Sequence, residues 1–231
     1  IDGKPVNAVY AWEFTGLDPK TGFATFKGCS SNEDEVEKSD DPATYLKYVG
    51  PADPRFNGGL SSSLRWKNLT LSAQFAFGFG NYKRLNFIFE GDNKMPSPQT
   101  NMTKEMLGRW KQEGDQSMIP GLNFSDSNDY MICTPDRSAS WKNTYTMYNY
   151  SDARIVKGDF FRCRNLMLSY AVPYQFLRHM GVTAVSLGFN VTNPFTLCSS
   201  RFNGQDPEVS NTGSVALPIT QAYSLSLNVS F

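Results

Sequence analysis

The sequence predicts an all-β protein, an antiparallel sheet of the kind that builds transmembrane β-barrels. Three observations carry this reading. Apolar and polar side chains alternate strictly in stretch after stretch, which is the period of a strand with two unlike faces. The polar faces carry mostly Ser, Thr, Asn, Gln, Gly and Ala, not the Lys and Glu that usually protect a solvated sheet. The links between stretches are alternately short and long, as in barrels with tight turns at one rim and long loops at the other.

The stretches follow in order. "LSSSLRW" sets Leu60, Leu64 and Trp66 against Ser61, Ser63 and Arg65. Lys67-Asn68 then forms a tight hairpin link. "LTLSAQFAFGFG" sets Leu69, Leu71, Ala73, Phe75, Phe77 and Phe79 against Thr70, Ser72, Gln74, Ala76 and Gly78. "NLMLSYAVP" sets Leu166, Leu168 and Tyr170 against Asn165, Met167 and Ser169. Pro173 through Gly181 joins it to the next strand and has room for a single helical turn. "TAVSLGFNVTN" sets Val185, Leu187, Phe189 and Val191 against Ala184, Ser186, Gly188, Asn190 and Thr192. The final "YSLSLNVSF" sets Tyr223, Leu225, Leu227, Val229 and Phe231 against Ser224, Ser226, Asn228 and Ser230.

The apolar faces are expected to meet lipid. The residues assigned to lipid are Leu69, Leu71, Phe75, Phe77, Leu187, Phe189, Tyr223, Leu225, Leu227 and Val229. Trp66, Tyr170, Tyr223 and Phe231 mark strand ends, where interfacial aromatic girdles lie. A soluble β-sandwich with Leu- and Phe-rich inner faces is the competing reading of the same pattern. The long links are the stretch from Gly80 to Gly158, expected on the extracellular side, and the stretch from Cys198 to Pro218.

Composition excludes several classes. The 231 residues hold 22 basic and 22 acidic side chains, so the formal net charge is zero and no basic excess points to nucleic acid. No apolar run is long enough for a transmembrane helix, although barrel strands need only about ten alternating residues. Cys29, Cys133, Cys163 and Cys198 are widely spaced, with no CxxC or Cys/His cluster, so no zinc site is expected. They read as free, mostly buried thiols, with disulfides permitted in an oxidising compartment. His179 is the single histidine, and no partner at motif spacing offers a catalytic triad or a metal site. The acidic run Asn32 to Asp41 lacks the glycine of a calcium loop and reads as solvated. No phosphate-binding loop is present, and neither catalysis, cofactor nor metal is expected.

One loop carries binding potential. In "WKNTYTMYNY", Trp141, Tyr145, Tyr148 and Tyr150 offer rings that stack on sugars or peptide side chains while their polar tips hydrogen-bond. The alternative is that these rings pack the loop. Arg109 and Trp110 read as anchors of a short helix from Thr103 to Trp110, and Asn203 to Glu208 as a turn-forming loop over a barrel mouth.

Longer segments carry a family resemblance. They are "GKPVNAVYAWEFTGLDPKTGFATF", "YVGPADPRFNGGLSSSLRWKNLTLSAQFAFGFG", "MTKEMLGRWKQEGDQSMIP", "GDFFRCRNLMLSYAVP" and "NVTNPFTLCSSRFNGQDPE". In this order they resemble the C-terminal part of the SusC/RagA-type TonB-dependent outer-membrane transporters. The resemblance implies a barrel of about 22 strands, of which residues 1–231 supply the last few, with the plug domain and N-terminal strands absent. The start at Ile1, without an initiator Met, fits a piece of a longer polypeptide. It also implies that Phe231 is the C-terminal assembly signal and that the last strand pairs with the first. By the same resemblance the protein resides in the outer membrane of a Gram-negative bacterium and is not an enzyme. It would import a nutrient, oligosaccharide or peptide, with energy from TonB through the missing N-terminal part. Its partners would be a SusD-like surface lipoprotein, the rest of the barrel and the lipid bilayer. The alternative function is a soluble secreted β-sheet carbohydrate-binding module.

Overall fold

The computed structural model describes residues 3–36, 41, 43, 45–89, 99, 101–122, 130–133, 141–178, 181–209 and 217–231. In chain order the strands are β1 (Ala8–Trp12), β2 (Phe14–Leu17), β3 (Ala24–Phe26), β4 (Leu46–Pro51), β5 (Phe56–Trp66), β6 (Leu69–Phe79) and β7 (Tyr82–Arg84). They continue with β8 (Tyr130–Met131), β9 (Lys142–Asn143), β10 (Ile155–Lys157), β11 (Phe160–Ala171), β12 (Ala184–Cys198) and β13 (Ala222–Ser230). The helices are α1 (Thr144–Asn149) and α2 (Tyr174–Leu177). The chain divides into two compact units, one from the described residues of 1–52 and 82–156, the other from 53–81, 157–209 and 217–231.

The second unit is an antiparallel sheet in the order β13-β12-β11-β6-β5. Each alternating stretch of the sequence is a strand of it. The hairpin turn is Lys67-Asn68, with Lys67 at a positive φ of 51°, the conformation that tight two-residue turns favour. The helical turn after Pro173 is α2. Pro194 suggests a stop to β12, but the strand runs on to Cys198. A bulge explains the extension. Cys163 pairs with Phe195 and Asn165 with Thr192, so Asn193 and Pro194 face Arg164 alone. Asn193 takes a φ of 51° there, and a proline without an N–H is tolerated where the ladder is interrupted.

The first unit corrects the reading of Gly80 to Gly158 as one long loop. Its described parts pair strands β7 with β10 and β8 with β9, while β1 pairs with β4 and β2 with β3. Phe23, Phe26, Ile88, Phe89, Met106, Tyr145, Met147 and Tyr148 form its buried core. Thr103 caps the short 3-10 helix Lys104–Gly108 by accepting a hydrogen bond from the Glu105 N–H. The Trp110 ring lies where a Cβ on Gly22 or Gly121 would sit, so both positions require glycine and Trp110 is a packing anchor.

The thiol reading is also corrected. Cys29 and Cys133 form a disulfide, whereas Cys163 is free and buried and Cys198 free and exposed. The cause is an antiparallel bridge between Ser30 and Ile132, which brings the neighbouring cysteines side by side across 104 residues of sequence. Alkylation of the unfolded, unreduced protein should therefore modify Cys163 and Cys198 and leave Cys29 and Cys133 untouched until reductant is added. Mass mapping of the labelled peptides checks this, and labelling of Cys29 before reduction would contradict the bridge.

Candidate functional site

Register places the predicted lipid-facing residues on one face of the sheet. Across the strands, Leu64, Leu71, Leu168, Phe189 and Leu225 stand in one row. Trp66, Leu69, Tyr170, Leu187 and Leu227 form the row beside the hairpin turn. Further along, Ala73, Leu166, Val191 and Tyr223 are in register, and so are Val185 and Val229. The bulge at Arg164 then shifts the parity of β11, so Cys163 and Phe161 join Phe75 and Phe77 on the same face. The opposite face carries rows such as Ser63, Ser72, Met167, Asn190 and Ser224.

Side chains of the apolar face stay open among the described residues. On the inner strands β6, β11 and β12, Leu71 and Leu168 are each 39% exposed and Phe189 44%. A soluble domain would spend such side chains in its core, where each gains about 1.5–3 kcal/mol by leaving water. β5 and β13 each pair on one side only among the described residues, so both sheet edges are open. Phe231 lies just past β13 and is 89% exposed.

The polar face holds a charge cluster that sequence reasoning missed. Arg162, only 1% exposed, binds Asp206 Oδ1 at 2.5 Å through Nη2 and faces Glu208 Oε2 at 2.7 Å through Nε. Arg164 binds Glu208 Oε1 at 2.5 Å. Asp206 also accepts hydrogen bonds from the Glu208 N–H at 2.9 Å and the Ile219 N–H at 3.1 Å. Burial pushes the Asp206 carboxyl up, but the Arg162 guanidinium and those two N–H groups hold it below the usual carboxylate range. The segment from Asn203 to Glu208 is thus tied to β11 and is more than a turn. The available signal was an Arg-x-Arg in β11 matched by an Asp-x-Glu in the loop.

In the first unit the four candidate aromatic contacts separate. Tyr145 is fully buried and Tyr148 only 2% exposed, so the expectation that they touch a ligand is corrected. Their rings pack against Phe89, with Phe23 also on Tyr145 and Phe14 on Tyr148. Their hydroxyls donate to the carbonyls of Gly121 and Met118. Asn143 starts α1 by accepting from the Tyr145 and Thr146 N–H groups, which turns both tyrosines inward three residues apart. Asn149, unnoticed in the sequence, is buried and holds Phe89 by accepting from its N–H and donating to its carbonyl. Trp141 and Tyr150 remain 45% and 40% exposed. Tyr150 has the Arg84 guanidinium 5.0 Å from its ring centroid, and burial lowers the pKa of Arg84. His179 and residues 37–40 of the acidic run lie outside the described residues.

Comparison with known proteins agrees with this architecture. The structure of the RagAB peptide transporter matches with a TM-score of 0.67 at 23% identity, over 97% of this chain and 23% of that one. The chain has the fold of a RagAB-type transporter segment. The RagAB peptide importer in its open-open state matches at a TM-score of 0.64 and 23% identity, over 96% of this chain and 22% of that one. The closed-closed state gives 0.64 and 22%, over 96% and 23%. In sequence, TonB-dependent receptor P3 of Formosa agariphila is 23% identical over 216 residues, which are 90% of this chain and 19% of that protein. No family model matches. The chain spans about a fifth of the length of these relatives.

Proposed function

We propose that this chain is the C-terminal barrel part of an outer-membrane, TonB-dependent importer of a nutrient. The observation that carries the proposal is the sorting of side chains across the registered strands. One face presents uncovered Leu, Phe and Val, and the other Ser, Asn, Gln and Thr. In hydrocarbon an unpaired hydroxyl or amide is costly, so the first face meets lipid and the second faces a wet lumen. The open edges of β5 and β13 pair with the rest of the same barrel, and Phe231 acts as the assembly signal. The connections of the Gly80 to Gly158 and Cys198 to Pro218 stretches lie at the extracellular end. The Cys29–Cys133 disulfide supports that placement, since such bonds persist outside the cytosol.

The energy source is TonB acting through the N-terminal part of the protein, and a SusD-like surface lipoprotein is the partner. Of the two substrate classes expected from sequence, peptide is favoured over oligosaccharide, because the matching structures are of a peptide importer. Cell fractionation tests the proposal. The protein should sediment with outer membranes and require detergent for extraction. Recovery in the soluble fraction without detergent would favour the secreted carbohydrate-binding module instead.

A further inference from the structure

A cleft in the first unit combines tyrosines with an excess of ammonium groups. Its volume is about 330 Å³, and its wall includes Lys4, Lys27 and Lys47 together with Tyr10, Tyr45 and Tyr48. Among the described residues, Glu13 is the one carboxylate in that wall. Lys27 reaches Glu13 at 3.2 Å, and Lys47 bridges Glu13 at 3.5 Å and Asp152 at 3.2 Å. Lys4 lies over the Tyr48 ring, 4.5 Å from its centroid. Tyr10 Oη is buried with no hydrogen-bond partner among the described residues, and so it is a donor for which those residues supply no acceptor.

We propose that this cleft binds the side-chain carboxylates of an acidic oligopeptide. The inference rests on the import reading above and narrows its substrate class. Among the described residues, Lys4, Lys27 and Lys47 outnumber Glu13 and the Asp152 that Lys47 bridges, so an incoming carboxylate meets charge-assisted donors. A sugar would instead need open ring faces. One face of Tyr48 is taken by the Lys4 ammonium, and Tyr10 leans on Tyr48 at 58° with centroids 5.7 Å apart. The Tyr48 ring therefore serves Lys4, as a cation–π partner that holds its ammonium in place.

Binding to the intact, detergent-solubilised protein tests this. The probes are a fluorescent Glu-rich peptide, the same peptide with Gln for Glu, and an oligogalacturonate of similar length. The Glu peptide should bind roughly tenfold more tightly than the Gln peptide, the scale of a hydrogen bond to a charged group. That advantage should shrink at high salt. Lys4→Gln and Tyr10→Phe should each reduce it with no change in melting temperature, which shows that the unit stays folded. Equal binding of the Glu and Gln peptides would overturn the inference. Equal binding of oligogalacturonate, with the same losses in the variants, would overturn it in favour of an acidic glycan. Either result in a protein that still fractionates with outer membranes leaves the import reading standing, whereas a soluble protein would remove both.

Discussion

Asp206→Ala is expected to release the segment after β12 from the sheet at a cost of about 3–5 kcal/mol. The size follows from what the carboxylate holds. Arg162 is 1% exposed and loses its 2.5 Å partner, which leaves a buried guanidinium with Glu208 alone. The N–H groups of Glu208 and Ile219 lose their acceptor as well. Asp206→Asn keeps one oxygen, so it can still accept from one of those N–H groups but turns an NH2 toward the other, and its loss should be smaller than that of alanine. Arg162→Leu combined with Asp206→Leu removes both charges, and apolar replacement of a buried pair is often near neutral. Hydrogen exchange on the detergent-solubilised protein reads the result directly, since local opening is reported residue by residue. Protection at Glu208 and Ile219 should collapse in Asp206→Ala. Unchanged protection there would mean that the ion pairs do not anchor the segment.

The acid limb of the same interaction has a defined sign. The folded pKa of Asp206 is lowered, so the unfolded chain takes up its proton first as the pH falls. The stabilisation is complete above the unfolded value of about 3.9 and is lost as the pH drops through the folded value. Protection at Ile219 should accordingly be the same at about pH 7 and about pH 5, and should fail only in stronger acid.

What the sequence made legible was what repeats locally. A period of two survives in β6, in β12 as far as Thr192 and in β13, because apolar side chains fall on one face of the sheet and polar ones on the other along each run. Register could be inferred for the same reason, since a one-residue slip would turn every leucine to the wrong face. The bulge at Arg164 was hidden because it changes the parity of Phe161 and Cys163 without any glycine to mark it.

The first unit was illegible for the opposite reason. Its strands are two to six residues long, too short to show a period, and its core joins residues near Phe23 to others near Tyr148. Tyr145 and Tyr148 illustrate the cost. An aromatic loop reads as a binding surface until Asn143 is recognised as a helix cap, and only then does their spacing become one buried face. The Arg162–Asp206 pair spans 44 positions, and no local pattern announces such a contact.

Leu166→Arg is expected to cost about 2–4 kcal/mol of barrel stability, the depth-dependent price of a charge at the bilayer midplane, while its neighbour Met167→Arg should cost little. The depth comes from the register. The row of Trp66, Leu69 and Tyr170 adjoins the Lys67-Asn68 turn, and Phe79 ends β6 at the other side. At roughly 3.3 Å per residue and a tilt of about 40°, that run of β6 spans about 25 Å, the height of a lipid-facing band. Leu166 pairs with Ala73 and Val191, close to the middle of the run. Leu227 pairs with Leu187 in the row beside the turn, where an arginine can snorkel to the interface and should cost only about 0–1 kcal/mol. Met167 points to the other face, between Ser72 and Asn190, and is 40% exposed. A long polar side chain there replaces another long side chain in a wet space. Folded, heat-modifiable barrel in outer membranes would be quantified for the three variants, with the order Met167→Arg above Leu227→Arg above Leu166→Arg. A deeper loss for Met167→Arg would reverse the two faces. Equal tolerance of all three would mean that the leucine rows do not touch hydrocarbon.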